Sequence, residues 1–169
     1  MSNNICKAFF IIILCNLSMK INSQDNMGER ELIESLEQIS LPEIYFDNYI
    51  LEINYEDRYF NRYFGCIEYK DLLYISKEEQ KRISIRLALY QTPEQAIEGL
   101  MWALNTRQRP YRGPHFYIGD YMESDSAECI IFTRANVLVD MVGIPYGSRI
   151  SLISIGEEID QKILEIVKR

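Results

Sequence analysis

Between residues 81 and 90 the chain alternates strictly. Ile83, Ile85, Leu87 and Leu89 are apolar, and Arg82, Ser84, Arg86 and Ala88 stand between them. An extended strand puts every second side chain on the same face, so the segment predicts a β-strand with one buried and one wet face. Such a strand cannot fold alone. It needs partner strands and a further layer to cover its apolar side.

The rest of the chain supplies both. Thr92, Pro93 and Gln95 form a helix start, with a capping hydroxyl, Pro at the first helical position and Gln three residues after the cap. Ala96, Ile97, Leu100, Met101 and Leu104 then make a buried stripe, with Trp102 at its edge. Strand signals follow at residues 116–121, 128–133 and 136–142, the last two separated by Arg134 and Ala135, the length of a tight hairpin turn. Residues 153–167 repeat apolar side chains at Ile155, Ile159, Ile163, Ile166 and Val167 and predict a closing amphipathic helix. Upstream, Leu32, Ile33, Leu36 and Ile39 predict a short amphipathic helix over 30–39 that ends at Pro42. Residues 45–74 are dense in aromatics and fit helix and strand templates equally, with 66–75 the more extended part. This order predicts an α+β fold, an antiparallel sheet with helices packed on one face.

The first 23 residues have a different character. Lys7 precedes an apolar run from Ala8 to Leu14, and a polar stretch follows from Asn22. That is the order of a secretory signal peptide, and the apolar part is shorter than the roughly 20 residues a membrane span needs. Cleavage between Ser23 and Gln24 divides the chain into a signal peptide, 1–23, and a single secreted domain, 24–169. The expected location is secreted or periplasmic. The alternative is a lipid anchor on Cys15, the only membrane attachment expected.

Formal charge limits the partners. Lys and Arg number 18 against 25 Asp and Glu, a net −7, and loss of Lys7 and Lys20 with the leader takes this to −9. No nucleic-acid role is expected, because phosphate binding needs a basic face. One His and two cysteines beyond the leader are too few for a dedicated zinc site, and no metal or cofactor is expected.

The run Ile118-Gly119-Asp120, the segment from Ile131 to Val139 and the final helix resemble the C-terminal half of exported PsbP-like domains and similar small bacterial surface lipoproteins. That family pattern often carries Gly where this chain has Ala135. The resemblance implies a secreted accessory or binding domain, with no catalytic residue to carry over.

Three features carry candidate chemistry. Arg107, Arg109, Arg112 and His115 sit in a Pro- and Gly-punctuated loop without an acidic residue, the one local reversal of sign in an acidic chain. Arginine forks on such a loop can clamp a carboxylate, sulfate or phosphate, and they can equally pair with the protein's own carboxylates. Cys66 and Cys129 are the only thiols of the mature chain. Two readings stand for them: a disulfide, or two buried free thiols. Finally, the run from Tyr59 to Phe64 can present an aromatic platform to a peptide or sugar.

The expected function is an exported, non-enzymatic binding or accessory domain that recognises an anionic small molecule or a protein partner. The alternative is a small secreted hydrolase built on a carboxylate pair.

Overall fold

A computed structural model describes residues 31–41, 49–54, 63–77, 80–106, 118–126, 128–144 and 151–168. All lie in one compact unit, Glu31–Arg169. The signal peptide, Cys15 and the arginine loop fall outside the described residues.

The alternating segment is strand β3, Arg82–Leu89, at the centre of a six-stranded sheet. The other strands are β1 (Tyr49–Asn54), β2 (Glu68–Ser76), β4 (Tyr121–Ser126), β5 (Cys129–Arg134) and β6 (Val137–Ile144). Their order is β1-β2-β3-β6-β5-β4, and every neighbouring pair is antiparallel. Two helices pack on the sheet, α1 (Pro93–Thr106) and α2 (Ile153–Val167). The protein is therefore an α+β fold built on an antiparallel sheet.

The helices do not share one face of the sheet, as the element order predicts, but divide it between them, one to each face, because both faces of the central strands carry apolar residues. Ile85, Leu87, Phe132, Val139 and Met141 form one cluster with Ile155, Ile159 and Ile163 of α2. Alternate positions on the same strands, Ala88, Ile131 and Leu138, join Ala96, Leu100 and Ala103 of α1 on the other side. Both faces of β3 are thus covered. The face that alternation marks as wet holds Ser84 and Ala88 buried at 3% and 0% exposure, beside a half-buried Arg86. The stripe of α1 also turns toward its small residues: Ala96, Gly99, Leu100 and Ala103 are buried, while Ile97 and Met101 lie partly out. The reason is close approach. Gly99 sits against the Tyr90 ring and hydroxyl, where a Cβ would overlap the phenol.

The expected helix over 30–39 is not formed. The segment is an extended strap with one 3₁₀ turn, Leu36–Gln38, capped by Ser35. Its backbone is taken up elsewhere. Ile33 donates its N–H to Asn136 Oδ1 at 2.9 Å and accepts from Asn136 Nδ2 at 2.8 Å, and Leu36 N–H donates to Glu68 Oε2 at 2.9 Å. These partners replace the helical ones, and Ile33, Leu36 and Ile39 become core residues.

The third expected strand is displaced toward the C-terminus. Strand β4 begins at Tyr121, after a bend at Gly119, where φ is +78°, and Asp120, whose N–H donates to Thr133 O at 2.7 Å. The β5–β6 turn lies one residue later than expected, on Ala135 and Asn136. Ala135 takes a φ of +50°, and its N–H donates to Asp120 Oδ2 at 2.8 Å.

Candidate binding surface

Three side-chain systems meet at the end of the sheet where β3 and β5 finish. The first is a buried charged row on the α1 face. Asp71, Arg86 and Asp140 are direct cross-strand partners on β2, β3 and β6. Arg86 Nε lies 3.4 Å from Asp71 Oδ2 and Nη1 lies 3.5 Å from Asp140 Oδ2. Ser84 Oγ and the Tyr69 hydroxyl donate to Asp71, and the Tyr63 hydroxyl donates to Asp140 Oδ2 at 2.5 Å. Burial works against the Arg86 cation, yet the charge of Asp140 and the other anionic neighbours outweighs it and holds the guanidinium pKa above its usual range. Burial, followed by the Asp140 charge, pushes the Tyr63 phenol well up. Asp140 at 2% and Asp71 at 6% exposure are closed to a substrate and share one cation, so this carboxylate pair does not offer the exposed acid and base a hydrolase needs.

Such a row was missed in the sequence, although a signal was there. Asp140 interrupts the otherwise apolar strand β6 and Asp71 directly precedes the run Leu72-Leu73-Tyr74-Ile75 of β2, and an Asp at a buried position requires a partner.

The second system is the β5–β6 turn. Arg134 forks onto Asp160 of α2, Nε to Oδ1 at 2.6 Å and Nη2 to Oδ2 at 2.7 Å, and its Nη1 reaches Asp120 Oδ1 at 2.7 Å. The bond to Asp160 raises the guanidinium pKa against the opposing effect of burial. Asn136 binds the strap at Ile33 and also donates to Tyr90 O at 2.8 Å, while Tyr90 N–H donates to Asn136 O at 2.9 Å. One turn therefore ties the strap, the end of β3 and α2 together.

The third system is the turn at 63–67, hung from the charged row. Tyr63 is buried, held by Asp140 and stacked on Tyr69 with ring centroids 5.3 Å apart. Gly65 takes a φ of +82°, which a side chain rarely adopts. Cys66 points inward, and Ile67 N–H donates to Leu89 O at 2.7 Å. Between these anchors Phe64 is 76% exposed and Ile67 51% exposed. An open groove of about 800 Å³ runs beside the turn, with Leu32, Ile33, Ile67 and Ile166 among its apolar walls and Glu31 and Glu34 on the strap side.

Cys66 and Cys129 are both buried and are not joined in a disulfide. Cys66 lies by the Leu89 end of β3, whereas Cys129 pairs with Val142, which faces Ser84. Five residues along a strand separate those rows by about 16 Å, beyond the roughly 7 Å limit between the Cα atoms of a disulfide. Of the aromatic run at 59–64, the described residues are Tyr63, turned inward, and Phe64, turned out. Arg107, Arg109, Arg112 and His115 lie outside the described residues. No cluster of His, Cys, Asp and Glu suited to a metal occurs among the described residues, and none of their helices is long and apolar enough to cross a membrane.

No family model and no curated protein matches this chain. Among solved structures, the chain is similar to the extracellular domain of PknH from Mycobacterium tuberculosis. The identity is 12% and the TM-score 0.40, over 64% of this chain and 69% of that one.

Proposed function

We propose that this protein is an exported, non-enzymatic binding or accessory domain whose ligand is a protein partner. The observation that carries this reading is the turn at 63–67, in which a rigid inward anchor, Tyr63, supports an outward Phe64 at 76% exposure. An exposed aromatic on an anchored backbone is the kind of side chain that anchors interfaces, since an aromatic has few rotatable bonds to order when it is buried. Covering such a ring contributes on the order of 2 kcal/mol. Ile67 of the same turn and Leu32 of the strap, 51% and 42% exposed, add apolar surface that lines one groove. Export rests on the leader at 1–23, and a lipid on Cys15 is the alternative form of the same location. The PsbP-like resemblance of the β5–β6 hairpin and closing helix supports an accessory role.

A second contact is proposed for the basic loop, where Arg107, Arg109, Arg112 and His115 would hold an anionic group on the ligand. Binding through it should weaken as salt rises and with Arg109→Ala or Arg112→Ala.

The test has three parts. Intact-mass measurement of exported material should give a chain that starts at or near Gln24; retained leader would overturn export. A photo-reactive residue at position 64, introduced in the native host, should cross-link a defined protein, and the same residue at Glu157 on α2 should not. Purified protein should be inert toward peptide, ester and glycoside panels, and turnover abolished by one Asp or Glu substitution would establish the hydrolase instead.

A further inference from the structure

We infer that the groove between the strap and the turn at 63–67 is a docking site for a partner polypeptide segment that carries both apolar and cationic side chains. This inference rests on the binding-domain reading and names the chemistry of its partner. The shape comes first. The groove is lined by Leu32 and Ile33 of the strap, by Ile67 of the turn and by Ile166 of α2. Leu32 and Ile67 contribute side chains 42% and 51% exposed, so an extended or helical segment can bury apolar contacts on both.

Charge then selects the occupant. The groove is bordered by Glu31 and Glu34, and the described residues offer neither carboxylate a cation. Of the basic side chains that reach the strap, Lys70 is engaged by Glu37 at 3.2 Å, and Lys162 of α2 by Ser40 at 3.4 Å and Glu158 at 3.6 Å. The chain as a whole carries a net charge of −7. An acidic partner is repelled here, and a purely apolar one leaves the carboxylates without counter-charge, whereas Lys or Arg flanking apolar anchors satisfies both walls. Gln38 does not compete, since its side-chain oxygen is taken by the backbone N–H groups of Glu34 and Ser35.

The walls are also fixed before binding. Asn136 clamps Ile33 through two hydrogen bonds of 2.9 and 2.8 Å, and the Ile67 backbone is bonded to Leu89. A partner therefore meets a preformed site and does not have to order it.

The probes are short amphipathic peptides of Leu and Lys, with Leu/Glu and Ser/Lys peptides of the same length as controls. They are titrated against the exported chain by calorimetry and by amide chemical shifts. The Leu/Lys peptide should bind, perturb residues of the groove, and lose about tenfold in affinity on Ile67→Ser and on Glu34→Lys. Both positions are exposed, and an unchanged thermal midpoint will show that the variants fold. Glu157→Lys, on the exposed side of α2, controls for overall charge and should leave affinity within about twofold. Equal binding of the Ser/Lys peptide, equal losses at Glu157→Lys, or no binding of the Leu/Lys peptide each overturns the inference. If those results appear while the position-64 cross-link persists, the binding-domain reading stands and only the partner chemistry is wrong.

Discussion

Arg86 and Asp140 stand directly opposite each other on β3 and β6, with guanidinium Nη1 3.5 Å from the carboxylate Oδ2. On the other side of Arg86, Asp71 is its direct partner on β2. Charges buried in this way add little net stability, because desolvation offsets their attraction. Their effect is on register. A slip of one residue would move Arg86 or Asp140 to the opposite face, among the apolar side chains of Ile85, Leu87 and Val139.

Removing one partner of the row should therefore be costly. Asp140→Ala strips the Tyr63 hydroxyl of its acceptor and leaves Arg86 with Asp71 alone, and urea unfolding should show a loss of about 3–5 kcal/mol. The double variant Arg86→Met with Asp140→Leu should lose clearly less than the sum of the two single changes. Additivity within about 0.5 kcal/mol would mean that the two residues do not act as a pair.

Alkaline pH should destabilise the protein steeply. Burial pushes the Tyr74 hydroxyl up to about 12 and also raises Tyr63, Tyr69 and Tyr90. Unfolded tyrosine titrates near about 10, so above that pH the unfolded chain releases protons that the native state keeps. Stability from these groups is complete below about pH 10 and declines as pH rises, for Tyr74 through about 12, by about 1.4 kcal/mol per pH unit for each tyrosine involved. Denaturant unfolding at a series of alkaline pH values measures the slope. Tyr74→Phe should reduce it by one proton, and a flat profile would contradict the raised phenols.

Ala135→Gly should stabilise the hairpin. A non-glycine residue at a φ of +50° carries strain, which glycine relieves by about 1 kcal/mol. The gain is partly offset by the greater freedom of glycine in the unfolded chain. The turn bond from residue 135 N–H to Asp120 uses the backbone and survives the change. A thermal midpoint below that of the parent protein would show that the Ala135 side chain, 4% exposed, contributes more by packing than the strain costs.

Cys66 and Cys129 should resist alkylation in the native protein whether or not reductant is present, and both should react in denaturant without reductant. Burial raises the Cys66 thiol above its ordinary range, which keeps the reactive thiolate scarce. Peptide mapping by mass spectrometry checks both sites. A 66–129 linked peptide in unreduced material would show that the two strand rows come together in a way the sheet register forbids.

Sequence alone located most of the secondary structure, because periodicity is a local property. The alternation at 83–89, the Thr92-Pro93 helix start and the apolar repeat of 153–167 became β3, α1 and α2. Of the candidate surface, Phe64 was legible as part of an aromatic run, whereas Leu32 and Ile67 were not, because their exposure depends on where the strap and β2 lie.

Tertiary structure decided the rest. An amphipathic helix records only that it has an apolar stripe, so which face of the sheet α1 and α2 would cover was not written in either segment. The polar side of β3 is interior because Asp71 and Asp140 arrive from strands that neighbour it only in the folded sheet. Residues 31–41 have helical spacing, yet Asn136 and Glu68 capture their backbone N–H and C=O groups from 103 and 32 residues away. A short helix gains too little from its own hydrogen bonds to compete with a core that offers both partners and burial.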